Sequence, residues 1–208
     1  MIKANNKIFF QKFFNWYGKR ILHRHFHKIV IQHNGISETE NKSLLVAGNH
    51  FSWWDGFIGL YVNNRIFRKT YHVMMLEEQL KSRMFLSKSG AFGIVKTRHE
   101  VRKTLDYCNK ILQKPENILF MYPQGEIQTQ YQFPLKFEKG LYRIFKSAEE
   151  STKLIFMSVL TDYFSKRKPT LYVFLKEADT KRFDCTELLE EQFNQMHSEH
   201  IQKHGGWS

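Results

Sequence analysis

The chain has 208 residues, enough for one domain with a sizeable core, and 42% of them are hydrophobic, which excludes a disordered segment and a polytopic membrane protein. Lysine and arginine number 32 against 20 acidic residues, a formal charge of +12, so the surface seeks anions: nucleic acid, anionic lipid headgroups or phosphorylated cosubstrates. No run of eighteen apolar residues is long enough to span a bilayer, the basic N-terminus lacks the apolar core of a secretory signal, and Cys108 and Cys185 have no metal spacing and read as thiols of a reduced cytosolic protein.

Residues 1–30 form the first unit. Within it, the spacing predicts an amphipathic helix from roughly Lys7 to His27. Phe10, Phe13, Phe14, Tyr17 and Ile21 recur at helical intervals, Phe9 and Trp16 widen the stripe, and Lys7, Lys12, Lys19, Arg20 and Arg24 supply a basic face. Such a helix suits the headgroup region of an anionic membrane, which places the protein peripherally on the cytoplasmic face; the alternative is that the stripe packs on the domain's own core. His23, His25 and His27 alternate by two, so a helix spreads them around its axis instead of gathering them on a metal.

Residues 31–208 make the second unit, in which short apolar runs alternate with helical ones. Strands are expected at Leu44–Ala47, Tyr71–Leu76, Gly93–Lys96, Ile118–Tyr122, Leu154–Val159 and Leu171–Leu175, and helices at Glu100–Gln113, Lys139–Glu149 and Cys185 to about Lys203. Alternation of this kind indicates an α/β domain with a mixed central sheet flanked by helices. His197, His200 and His204 share one face of the last helix. With no carboxylate or thiolate arrangement beside them, they are expected to form a solvated face and not a metal site.

The most informative stretch is Asn49-His50-Phe51-Ser52-Trp53-Trp54-Asp55. An imidazole can take a proton from an alcohol while a carboxylate orients the ring and stabilises the imidazolium. The preceding strand and a helix starting at Ser52 or Asp55 put His50 at a strand-to-helix turn, where α/β folds commonly hold their chemistry. Trp53 and Trp54 inside the spacer suit an acyl groove, a membrane interface or the core of the helix they begin.

At these residues the chain resembles the glycerolipid acyltransferase superfamily, the lysophosphatidic acid and glycerol-phosphate acyltransferases. The family's Asn-His-x4-Asp motif is matched by Asn49, His50 and Asp55. Gly93-Ile94-Val95-Lys96-Thr97-Arg98 is similar to its second motif, which ends in arginine, and Phe137-Glu138-Lys139-Gly140 echoes a later Phe-Lys-x-Gly element. The third motif, Phe-Pro-Glu-Gly-Thr-Arg, is matched in part by Tyr122-Pro123-Gln124-Gly125-Glu126-Ile127. The fourth, an apolar strand carrying proline, falls at Leu154–Val159 without the proline. These elements occur in family order over roughly residues 43 to 160.

The resemblance implies an O-acyltransferase of phospholipid biosynthesis that moves a fatty acyl group from acyl-CoA or acyl carrier protein to a lysophospholipid or related lipid hydroxyl. His50 is then the general base and Asp55 its partner. Asn49, Arg98, Tyr122, Pro123, Gln124, Gly125 and Glu126 are candidates for holding substrate. Lys136 and Lys139 either meet donor phosphates or are plain surface lysines. No metal or cofactor is implied; the thioester is a cosubstrate. Ile127, where the family has arginine, removes the planar fork best suited to phosphate, and Gln124 suits hydroxyls. Together they open the same chemistry to a glycolipid, aminolipid or pigment hydroxyl. A nucleic-acid binder would fit the charge, but no nucleic-acid-binding signature accompanies it, so no nucleic-acid partner is expected. A lipid binder without catalysis would have no use for both His50 and Asp55.

Overall fold

The computed structural model describes residues 1–36, 39–95, 97–180 and 185–205. Seven strands form one sheet: β1 (Lys28–Asn34), β2 (Ser43–Gly48), β3 (Thr70–Leu76), β4 (Ala91–Ile94), β5 (Asn117–Met121), β6 (Thr152–Asp162) and β7 (Thr170–Glu177). The helices are α1 (Ile8–His25), α2 (Asp55–Val62), α3 (Glu77–Lys81), α4 (Arg98–Leu112), α5 (Gly140–Lys146) and α6 (Thr186–Gly205). A π-helical turn, Asn63–Phe67, extends α2, and a 3-10 segment, Met84–Ser89, precedes β4.

The sheet order is β1-β7-β6-β2-β5-β3-β4. Strands β6, β2, β5, β3 and β4 are mutually parallel, β7 pairs antiparallel with β6, and β1 pairs parallel with β7. Strands β2 and β5 are buried along their whole length, as expected of central parallel strands covered on both faces. One face is packed by α1 and α2 through Phe14, Leu22, Ile58 and Val62. The other is packed by α4, α5 and α6 through Leu112, Leu141, Ile144 and Phe193.

The chain leaves β2 through α2 toward β3 and leaves β5 through α5 toward β6, so the two exits lie on opposite faces of the sheet. The carboxyl ends of β2 and β5 are neighbours, with Ala47 opposite Met121. This is a topological switch point, the place where an open α/β sheet leaves a crevice. Both sequence motifs leave the sheet there.

The N-terminal helix packs more intimately than an isolated amphipathic segment would. A Cβ on Gly18 would lie 3.3 Å from Phe57 Cδ1, so this glycine lets α1 settle close against α2. Phe14, Gly18 and Leu22 are buried, while Ile8, Phe9, Phe13 and Trp16 remain exposed on the outer face. The stripe thus divides between core and surface.

Strand β1 was not anticipated, and the histidine face of α6 needs correction. His197 and His200 are buried, not solvated: each Nδ1 lies 2.7 Å from the Ser158 Oγ of β6. Periodicity located their shared face; what it left open was that this face turns inward onto the sheet. On the same helix Leu189, Phe193 and Met196 are buried, whereas Leu188 is exposed. Among the described residues no group of three potential ligands is placed to hold a metal.

Burial depresses the imidazoles of His197, His200 and, on β3, His72 from an ordinary value of 6.5 to about 4. Above pH 6.5 these rings are neutral in both folded and unfolded chains. As pH falls from 6.5 toward 4, the unfolded chain binds protons that the folded one excludes, so stability is lost across that window. We expect the unfolding free energy measured by denaturant titration to decline there, by at most about 1.4 kcal/mol per pH unit for each ring. His197→Leu should remove one ring's share of that slope.

Candidate active site

Strand β2 ends at Gly48, and Asn49 closes the sheet edge beyond it. The Asn49 side chain accepts a hydrogen bond from the Val159 N–H (2.7 Å) and donates one to the Val159 carbonyl (2.9 Å) on β6. Both ends of a buried amide are satisfied, and the chain is free to turn at His50.

The turn is organised by Asp55, the first residue of α2. Its Oδ2 accepts hydrogen bonds from the backbone N–H groups of Phe51 (3.0 Å) and Ser52 (3.1 Å) and lies 2.6 Å from His50 Nδ1. Ser52 Oγ in turn accepts from the Trp54 N–H (2.9 Å). Asp55 is only 2% exposed. Burial raises its carboxyl above the ordinary carboxylate range, while the bonds from His50, Ser52 and Phe51 pull it back. With Nδ1–H donating to Asp55, the remaining ring nitrogen, Nε2, keeps the lone pair that a base requires.

Two phenols, Tyr71 buried and Tyr122 half-buried, hold the first turn of α2 from the strand side. Tyr122 OH donates to the Asp55 carbonyl (2.6 Å) and Tyr71 OH to the Gly56 carbonyl (2.9 Å). Burial raises both phenols well above their usual range, so they are neutral donors. The Tyr122 ring also stacks on His50, with centroids 4.7 Å apart. The imidazole is therefore fixed by a carboxylate at one edge and an aromatic face beside it.

After Tyr122 the chain turns through Pro123-Gln124-Gly125. Gly125 adopts φ +73°, a conformation that favours glycine, and its N–H closes the turn on the Tyr122 carbonyl at 3.1 Å. Gln124 is buried and directed back to the first motif, where its Oε1 accepts from the His50 N–H at 2.6 Å. Further along, α6 clamps the segment leading to α5. Asn194 pairs with both backbone polar groups of Leu135, and Glu190 accepts from the Phe137 N–H and from Lys136 Nζ, each at 2.8 Å.

His50 opens onto a cavity of about 1310 Å³, larger than the roughly 300–1,000 Å³ of ordinary small-molecule pockets. Its walls are mostly apolar: Phe10 and Phe14 of α1, Phe57 of α2, Val73 and Met75 of β3, and Leu105 of α4 contribute. Charge is concentrated at a few positions, among them Arg83, Glu126, Lys139 and Arg143.

Of the residues singled out from sequence, His50, Tyr122, Pro123, Gly125 and Glu126 line this cavity, and Asp55 lies directly behind His50. Asn49 and Gln124 are outside its lining, their amides committed to Val159 and to the His50 loop. Arg98 opens α4, but its side chain and all of Lys96 lie outside the described residues. Lys136 is paired with Glu190, whereas Lys139 faces the cavity. Trp53 lines the cavity, and Trp54 packs against His25 and Phe26 at the end of α1. Sequence reasoning missed Tyr71, Gln128 and Arg143; for Arg143 the signal was its helical i, i+4 spacing from Lys139.

A family model described as Acyltransferase matches residues 5–175. Among solved structures, the 1-acyl-sn-glycerophosphate (LPA) acyltransferase PlsC of Thermotoga maritima shares the fold. The TM-score is 0.59 over 93% of this chain and 79% of that one, at 17% sequence identity. No curated protein matches the sequence.

Two substitutions test the geometry. In Asp55→Asn, the amide oxygen would still accept from Phe51, Ser52 and His50 but would carry no charge to stabilise an imidazolium, and turnover should fall about 10³- to 10⁴-fold with the fold intact by circular dichroism. Asn49→Ala would strand the Val159 backbone and should lower the unfolding free energy by about 1–3 kcal/mol.

Proposed function

The chain belongs to the Acyltransferase family, and on that premise we propose that it transfers a fatty acyl group from an acyl-CoA or acyl carrier protein thioester to a hydroxyl of a lysophospholipid or related lipid at a membrane surface. The observation carrying this reading is the His50–Asp55 pair, 2.6 Å apart, opening on a large apolar cavity. A hydroxyl-activating base beside an apolar space that suits an acyl chain is what acyl transfer requires.

In the reaction, His50 Nε2 takes the acceptor's hydroxyl proton as its oxygen attacks the thioester carbonyl carbon. The tetrahedral intermediate collapses with loss of the C–S bond, and the thiolate leaves with the proton held by His50. Asp55 stabilises the transient imidazolium. No nucleophilic serine or cysteine takes part, because the acceptor oxygen forms the new ester bond itself. Lys139 and Arg143, both lining the cavity, supply positive charge for a phosphate of acceptor or donor. Ile127 supports a second reading: an apolar, exposed residue where related proteins have arginine favours an acceptor whose headgroup carries no phosphate.

The exposed face of α1 supports membrane association. Ile8, Phe9, Phe13 and Trp16 project from it, and Phe13 also lines the cavity, as does the exposed Trp53. Lys12, Lys19 and Arg20 share the helix, so aromatic insertion and attraction to anionic headgroups would act together. Among the described residues no helix is long and apolar enough to cross a membrane.

A mass-spectrometric screen of long-chain acyl-CoA and acyl carrier protein donors against lysophospholipids, glycolipids and hydroxylated aminolipids tests the chemistry. A product made by the wild type and lost in His50→Ala is the expected result; a product unchanged in the variant would remove His50 as the base. For the surface, Phe9→Asp/Trp16→Asp should reduce co-sedimentation with anionic liposomes about tenfold or more, and undiminished binding would sink the assignment.

A further inference from the structure

The third motif of this chain carries glutamine where related proteins carry glutamate, and the hydrogen bonds around Gln124 give that amide a direction. The His50 backbone N–H can only donate, so the Gln124 atom facing it at 2.6 Å is the carbonyl Oε1. The Gln124 NH2 is then turned to Gln128, which it meets at 2.7 Å through Gln128 Oε1. That leaves the Gln128 NH2 facing Glu126, whose carboxylate Oε1 accepts at 3.1 Å. Each amide orientation is forced by its neighbour. The far side of His50 is held too, because the Gln128 backbone N–H donates to the His50 carbonyl at 2.9 Å.

We propose that Gln124 and Gln128 are positioning residues: a one-way chain of amide hydrogen bonds, terminated by the Glu126 carboxylate, clamps both backbone polar groups of His50 and sets where its ring meets the acceptor hydroxyl. Gln124 takes no part in substrate binding in this assignment. The proposal rests on His50 being the base. Asp55 fixes the ring's rotation and tautomer, whereas the glutamine chain fixes the backbone from which the ring projects. A displacement on the order of 1 Å in a catalytic group costs about 10²-fold in rate.

The direction of the chain makes it testable by reversal. In Gln124→Glu the carboxylate still accepts from His50 but presents an acceptor to Gln128 Oε1. Gln128 cannot flip in response without turning its oxygen on the Glu126 carboxylate. Adding Glu126→Gln removes that conflict: the Gln128 amide flips, donating to the carboxylate introduced at position 124 and accepting from the amide introduced at position 126. Turnover should therefore fall about 10- to 100-fold in Q124E, in kcat with KM little changed. In an E126Q background the same Gln124→Glu change should cost less than about threefold. An equal loss in both backgrounds, or a Q124E enzyme as active as wild type, would overturn the proposal. A second arm needs no turnover: hydrogen exchange of the His50 amide should accelerate about tenfold or more in Gln124→Leu. Unchanged exchange would show that Gln124 does not hold that amide. Because this arm reports on the clamp alone, it separates failure of the clamp from failure of the acyl-transfer reading.

Discussion

One carboxylate oxygen, Asp55 Oδ2, gathers three N–H donors within a single tight loop, and the turn that carries His50 is built around it. A buried charge without such partners would be too costly to keep. With them, it folds residues 50–55 onto itself, and the imidazole is one of the groups that must point inward to complete the set. The same residue begins α2, whose amino-terminal N–H groups favour negative charge. Loop closure, helix initiation and ring orientation therefore share one cause. Substitution at this position acts on all three together.

Around that centre, the topology explains why two motifs more than seventy residues apart in sequence form one site. Strands β2 and β5 are adjacent and parallel, and their connections leave on opposite faces. The crevice between them is unavoidable for an open sheet wound this way. Tyr122 bridges it by stacking on His50 and donating to the Asp55 carbonyl, and Gln124 bridges it from the turn. Helix α6, remote in sequence, fixes the following segment through Asn194 and Glu190.

Much of this was legible in the residues, for identifiable reasons. The fully apolar run of β2 and the fivefold spacing of His50 and Asp55 are local signals, and each corresponds to a local structure. What escaped was non-local. Strand β1 is a half-buried edge strand following α1 after two residues, so its weak pattern merged with the helix before it. Arg143 joins the site only because α5 packs at the cavity wall. Gln124 reads in sequence as a substrate contact; its buried position and its bond to a backbone N–H seventy-four residues away are properties of the fold. The histidines of α6 show the same limit, since a shared face is periodic information but its inward direction is not.

The pairing of Asn49 with Val159 acts as a rung of sheet made by a side chain. Where β2 stops, the carboxamide reproduces the donor and acceptor that another residue of strand would have offered β6. The backbone is thus released from the ladder one residue before His50 without leaving β6 unpaired. Chemical ageing makes the arrangement specific. Deamidation of Asn49 would keep its shape yet replace the donor with a second acceptor, setting a carboxylate oxygen against the Val159 carbonyl. Burial at this position shields the amide from water, so the contact that frees the His50 loop is also sheltered from the reaction that would undo it.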